Sequence, residues 1–395
     1  MKTGSDWGLI LALWAAGLGA GAQFAKVSTI FDTLGQIYPG AGATLGFSVS
    51  LLSFLGIVFG LFAGLVAARL GVRRLLIGGL LLGAAVSAFQ VTLPPMPVLL
   101  VSRVVEGLSH LVIVVAAPTL LGSLARGRAR PVAMTLWSTF FGVAFSVTAL
   151  LGRPLSDAFG PAALFAAHAV YMAAMAALLA WRLPPVPAPP GPRLTLRAIA
   201  ARHVEAYRSP ATAAPGLAWL FYTLSYVSIL TVLPAMLPEA GRSFAATAMP
   251  LAGIVVSMTI GNLLLQRLPP VPVVIGGFAL AAVAAAALPF TASPWVPVAL
   301  IGALGLVQGA NFEAIPALNP EPEQQAIANG AVAQMGNLGN TLGTPILLAA
   351  TGAFGQAGLV GFALLAFGGG IAVHLALARA RANGPKGAEP RATRP

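Results

Sequence analysis

Twelve stretches of about 20 mostly apolar residues follow one another along this 395-residue chain, and each is long enough to cross a bilayer as a helix. They fall at roughly 8–33, 44–68, 72–93, 97–121, 131–154, 161–183, 214–236, 245–267, 271–290, 295–318, 326–351 and 357–379. Only 8% of residues are charged and 58% are hydrophobic, where a soluble domain carries about 25% charged residues. A chain so poor in charge cannot cover a core of this size with polar surface, so its solvent is lipid. The strands of a membrane barrel would alternate polar and apolar residues over about ten positions, and these segments do not. Lys2 followed by an apolar run and Ala20-Gly21-Ala22 has the outline of a signal peptide, but the run is too long for one and eleven further spans follow. An uncleaved first span is expected.

The formal net charge of +12 raises nucleic-acid binding. The position of the charges argues against it. With the N-terminus in the cytoplasm, the inner segments hold Lys2, Arg69, Arg73, Arg74, Arg126, Arg128, Arg130, Arg182, Arg193, Arg197, Arg202, Arg208, Arg267, Arg379, Arg381, Lys386, Arg391 and Arg394, which is 18 of the 22 basic residues. Such a bias marks the cytoplasmic side and places both termini there, in a bacterial inner membrane. One connection is long. Residues 184–213 open on a proline-rich run and turn basic, either as a flexible linker or with a short helix lying on the inner membrane surface. This segment divides the chain into an N-terminal six-helix bundle (1–183), the linker (184–213), a second six-helix bundle (214–379) and a basic tail (380–395).

The halves repeat. Gly56-Ile57-Val58 matches Gly253-Ile254-Val255, Ile77-Gly78-Gly79 matches Ile275-Gly276-Gly277, and Gly107-Leu108, His110 and Pro118 match Gly305-Leu306, Gln308 and Pro316. The offset is 197 or 198 residues throughout, which chance does not supply. Gly56, Gly60 and Gly64, repeated as Gly253, Ser257 and Gly261, are spaced for close helix packing. A duplicated six-span unit is a common plan of secondary transporters, with the binding site between the halves.

Gly64-Leu65-Val66-Ala67-Ala68-Arg69-Leu70-Gly71-Val72-Arg73-Arg74 resembles the loop 2–3 signature of the major facilitator superfamily, and Arg103-Val104-Val105-Glu106-Gly107 is similar to its span 4 motif. The resemblance implies an all-α membrane fold of two pseudo-symmetric bundles around a central cavity lined by spans 1, 4, 7 and 10. It also implies a gating role for Gly64, Arg69, Gly71, Arg73 and Arg74. The acidic residue of the signature is Ala68 here.

Ionisable groups inside a membrane cost roughly 2.5–3.5 kcal/mol on insertion scales and so call for a function. Lys26, Arg103, Glu106, His110 and Glu313 all fall on three of the four spans that the resemblance assigns to the cavity, whereas His168 and His374 read as structural. Arg103, Glu106 and His110 share one helical face. Lys26 has no acid one turn away on its own helix, so it is either a cation awaiting an anionic substrate or a side chain snorkelling to the interface. Tyr222 and Tyr226 of span 7 read as substrate contacts. Asn337 belongs to a polar stripe on span 11 that serves as substrate contact or as glue between helices.

No Gly-Lys pair exists for a phosphate-binding loop, and with no cysteine thiol catalysis is excluded. No cofactor, metal or enzymatic activity is expected. The residues point to a monomeric secondary transporter of a small polar, anionic molecule. Lys26, Arg103, His110, Tyr222, Tyr226 and Asn337 would contact substrate, and Glu106 and Glu313 would carry proton coupling. Two alternatives stay open: proton-driven efflux of hydrophobic drugs, and a membrane receptor that binds without transport.

Overall fold

The computed structural model describes residues 6–60, 71–125, 129–184 and 204–383. Gly64, Arg69, most of the linker and most of the tail lie outside them. The described residues are helical almost throughout, and they form twelve helices long and apolar enough to cross a membrane, counting the bent pair as one and the last run as two. They are α1 (Trp7–Thr29), α2 (Gly42–Phe59), α3 (Val72–Gln90), α4 (Met96–Leu124), α5 (Val132–Ser138 with Phe140–Phe159, bent by 44°), α6 (Pro161–Arg182), α7 (Pro210–Met236), α8 (Glu239–Leu265), α9 (Pro270–Phe290) and α10 (Trp295–Leu318). The last two, α11 and α12, form one helical run, Pro322–Asn383, broken at Gly355. There φ is 56° and ψ is −134°, a conformation that costs little only without a Cβ.

Local chemistry sets the helix ends. The Asp6 carboxylate accepts from the Leu9 amide at the start of α1, a standard N-cap. Proline occupies the first turn of α4, α6, α7 and α9, where its missing N–H leaves nothing unsatisfied. Gly71 and Gly160, at φ 86° and 83°, turn the chain into α3 and α6. Several boundaries differ from the sequence reading by four residues or more, two of them with a clear local cause. The seventh helix begins at Pro210 rather than 214, because Ser209 caps it, and the eighth begins at Glu239 rather than 245, with its acid on the positive helix end.

The repeat is visible in the packing. A Cβ on Gly107 of α4 would fall on the Leu52 carbonyl oxygen of α2, and one on Gly305 of α10 would fall on the Gly253 oxygen of α8. Gly79 rests on α4 as Gly277 rests on α10. In each half the same helix pairs are therefore held backbone to backbone, which small residues permit. The halves meet along three seams. Gly46 and Gly56 of α2 lie against Pro345 and Asn337 of α11, and Gly142 of α5 lies against Pro250 and Ile254 of α8. The third seam joins α1 to α7, where the Ser28 and Thr231 hydroxyls are 2.9 Å apart.

The first and last described helical ends lie on one face. There Arg182 approaches Asp6 at 3.6 Å, and Arg381 donates to the Pro210 carbonyl at 3.2 Å. Arg73 also lies there and donates to the Leu183 and Ala180 carbonyls, so it ties the start of α3 to the end of α6. The opposite face carries Arg153, which bridges Asp32 at 2.8 Å and Asp157 at 2.9 Å.

Candidate functional site

The densest polar chemistry lies inside the first bundle, where α1, α3, α4 and α6 converge. Lys26, Arg103 and Glu106 are buried to 1%, 0% and 0% exposure. The Lys26 ammonium donates to Glu106 Oε1 at 2.6 Å, Ser87 Oγ at 2.7 Å and Gln90 Oε1 at 2.9 Å. Those three acceptors use all of its N–H groups. Glu106 Oε2 accepts from Gln90 Nε2 at 2.9 Å and from Arg103. The rest of the Arg103 guanidinium is spent on the Ser48 carbonyl at 2.5 Å and the Gln23 carbonyl at 2.8 Å. Gln23 in turn donates to Ser109.

This corrects two expectations. Lys26 neither snorkels nor waits unpaired: it is closed into a salt bridge with a helix 80 residues away in sequence. His168, read as structural, belongs to the network. Its Nδ1 lies 2.7 Å from Ser87 Oγ and 3.3 Å from Lys26 Nζ, and its Nε2 lies 3.0 Å from the Gly19 carbonyl. A carbonyl only accepts, so Nε2 carries the proton and Nδ1 accepts from Ser87. Phe165 completes the pocket, with its ring centroid 5.2 Å from Lys26 Nζ. Two cations and one carboxylate leave the cluster with a formal charge of +1, buried in a medium where unbalanced charge is costly.

His110 leaves the Arg103–Glu106 face. Its Nδ1 donates to the Ala20 carbonyl at 3.1 Å, and its ring meets Phe24 edge-on at 5.2 Å. From there an aromatic series crosses between the halves: Phe24 to Phe141 at 5.6 Å, Phe141 to Tyr226 at 6.4 Å, and Tyr226 stacked on Tyr222 at 5.1 Å. It continues through Trp219, 4.2 Å from Tyr222, to Phe312 at 5.0 Å. Tyr222 donates to Gln308 at 3.2 Å. The structure thus joins His110, Tyr222 and Tyr226 into one wall and places Lys26, Arg103 and Glu106 behind it.

The remaining candidates lie elsewhere. Asn337 donates to Ala333 of its own helix at 2.7 Å and packs on Gly56, which is a helix–helix contact. Glu313 is exposed next to Phe312 and has no hydrogen bond or ion pair among the described residues. Gly71 and Arg73 shape the start of α3, and Arg74 is exposed. The sequence reading missed Ser87 and Gln90, whose one signal was spacing, since they stand three apart on an otherwise apolar helix as Gln23 and Lys26 do on α1.

Comparison with known proteins gives three findings. The family model of the Major Facilitator Superfamily matches residues 9–344. The inner membrane transport protein YajR of Escherichia coli (strain K12) is 28% identical over 159 residues, which is 40% of this chain and 35% of that protein. The aligned segment thus spans about a third of that relative's length. Among solved structures, a bacterial homologue of the human lysosomal transporter Spinster, inward-facing and unoccupied, superposes with a TM-score of 0.71 at 15% identity, covering 95% of each chain. That likeness concerns the fold.

Proposed function

This chain belongs to the major facilitator superfamily, a family of membrane transporters, and on that premise we propose that it moves a small polar anion by alternating access, coupled to protons. One observation carries the reading: the buried cluster around Glu106 holds two cations against one carboxylate. Its positive excess favours an anion nearby, and its hydrogen bonds span four helices that must move together. His110, Tyr222 and Tyr226 would contact the substrate, and Glu313 is a second acid for coupling.

A second reading, export of aromatic or hydrophobic molecules, draws support from the aromatic wall between the halves. Such rings suit planar or cationic ligands. Counterflow in proteoliposomes separates the two, with lactate and a dicarboxylate as anionic probes and an aromatic dye cation as the alternative. Exchange of the anions alone supports the first reading, and exchange of the dye alone replaces it. Binding of either without exchange points to a receptor.

Coupling has its own expected result. Glu106→Gln removes the one negative charge of the cluster, so uphill movement driven by a pH gradient should be lost while substrate-for-substrate exchange is retained. Normal accumulation by Glu106→Gln would remove Glu106 itself from coupling and make Glu313 the next acid to test.

Orientation rests on the basic residues of the termini face. Cysteines at Thr195 and Ser293 are the test, since the chain has none of its own. An impermeant thiol reagent on intact cells should label Thr195→Cys poorly and Ser293→Cys well. The reverse pattern would invert the topology.

A further inference from the structure

The hydrogen bonds of the buried cluster favour one distribution of its protons, with Ser87 donating to His168 rather than to the more distant Glu106 Oε1 at 3.5 Å. Lys26 spends three N–H groups on three acceptors, so it is an ammonium. Glu106 receives donors from Lys26, Gln90 and Arg103, so it is ionised. His168 donates from Nε2 and accepts at Nδ1, so it is neutral. The sum is +1. Adding a proton to Glu106 or His168 would raise the sum to +2 and aim an added O–H or N–H at existing donors. Arginine does not give up its proton in proteins. Release from Lys26 is the single protonation change that brings the cluster to zero, leaving Arg103 balanced against Glu106.

A cavity also adjoins the cluster and opens past Val147 and Leu151, 44% and 64% exposed. It measures about 300 Å³ and lies between α1, α5 and α6, and Lys26 and His168 both line it. Its other walls are mainly apolar, including Leu18, Val147, Leu151 and Leu164, with Thr148 and Tyr171 the remaining polar side chains. Lys26 and His168 spend their ammonium and ring groups inside the cluster, so the Thr148 hydroxyl and the acceptor side of Tyr171, which donates to the Ala15 carbonyl, are the two partners left for a water there. The wall on α5 is a turn of π-helix, Thr148–Gly152, a local form that recurs at functional sites.

We propose that Lys26, rather than Glu106, carries the coupling proton, and that Ser87 and His168 relay it to the cavity between α1, α5 and α6. The proposal rests on the proton-coupled reading above. Lys26 Nζ, Ser87 Oγ and His168 Nδ1 form a line of two 2.7 Å hydrogen bonds. An N–H bond of Lys26 breaks and its proton joins Ser87 Oγ as the Ser87 hydroxyl passes its own proton to His168 Nδ1. Lys26 becomes a neutral amine, Ser87 is a hydroxyl again, and His168 is an imidazolium still donating to Gly19. The imidazolium then yields its Nδ1 proton to cavity water once Ser87 turns back toward Lys26, which restores the neutral Nε2–H ring and leaves the cluster at zero. The groups facing Lys26 are Ser87 and Gln90 from α3, Arg103 and Glu106 from α4, and Phe165 and His168 from α6. From α5 only the uncharged Thr148 side chain adds polarity to the cavity, and from α6 the Tyr171 phenol also lines it, donating to the Ala15 carbonyl.

The test needs no substrate. Proton release by purified protein is counted by potentiometric titration over the pH span of the transport assay. Lys26→Arg keeps the charge without a removable proton and should release one proton fewer than wild type, while Glu106→Gln should release the same number. A missing proton in Glu106→Gln instead, or no change in either variant, overturns the assignment. His168→Asn keeps an acceptor for Ser87 but takes no proton, so its release after a pH jump should slow tenfold or more; an unchanged rate removes the relay. Nitrogen NMR of labelled wild-type histidines, with His168 assigned through His168→Asn, needs no folded variant of Lys26. It should show the Nε2–H tautomer, and the Nδ1–H form or an imidazolium would overturn the scheme. If anion exchange proves indifferent to a pH gradient while Lys26→Arg still lacks its proton, the transport reading fails and the proton assignment stands.

Discussion

Arg103→Ala is expected to destabilise the first bundle by about 3–5 kcal/mol, the scale for breaking a buried ion pair by removing one partner. Arg103 is wholly buried, and its guanidinium satisfies Glu106 together with the Ser48 and Gln23 carbonyls. Its loss strands two carbonyl oxygens and leaves a cavity the size of the side chain. Alanine supplies neither donor nor volume. Arg103→Lys keeps the charge but not the fork geometry that reaches three acceptors at once, so it should recover only part of the loss. Unfolding in a mixed-micelle denaturant series, with Arg153→Ala as a control, is the measurement. Arg153 sits at 40% exposure in its pairs with Asp32 and Asp157, and an exposed pair contributes about 0–1 kcal/mol. Equal effects of the two substitutions would mean that the buried cluster is not a structural keystone of the bundle.

Gly46→Val should act on the equilibrium between conformations. A Cβ on Gly46 would stand 2.8 Å from the Pro345 nitrogen and 2.9 Å from its Cα. Both are backbone atoms of the opposite half, so no side chain can rotate away. Relieving the overlap means separating α2 from α11, and overpacking of this kind costs about 1–3 kcal/mol. In a two-state transporter that cost falls on the conformer with this seam closed. The closed population should therefore drop about tenfold or more relative to the open one. Spin labels at Ala41→Cys and Thr351→Cys would report the separation. Gly361→Ala, where nothing lies within 4 Å, should leave the distances unchanged. Unaltered distances in Gly46→Val would show that α2 and α11 do not part along this seam.

What the chain reveals on its own follows from how far each physical signal reaches. Spans are legible because twenty apolar residues in lipid can only be helix, whatever their neighbours. The repeat is legible because Gly107 and Gly305, or Gly79 and Gly277, answer the same packing demand at a fixed offset. The stacking of Tyr222 on Tyr226 was within reach of the sequence because both rings stand one turn apart on a single helix.

The buried cluster needed the fold. A check for acids one turn from Lys26 sees one helix, and its partners come from α3, α4 and α6, between 61 and 142 residues away. For the same reason His168 enters the cluster while His110 turns away from it to the Ala20 carbonyl. The face shared by Arg103, Glu106 and His110 is a property of an isolated helix, whereas the side chains turn toward whatever neighbouring helices offer. Glu106 found Lys26 and Gln90, and His110, one turn further along, found the Ala20 carbonyl and the Phe24 ring. Sequence fixes which polar groups enter the membrane, since each must be inserted at a cost its own helix bears. Which of them neutralise one another depends on helix packing, because a 2.6 Å ion pair between distant segments exists only once the bundle has closed around it.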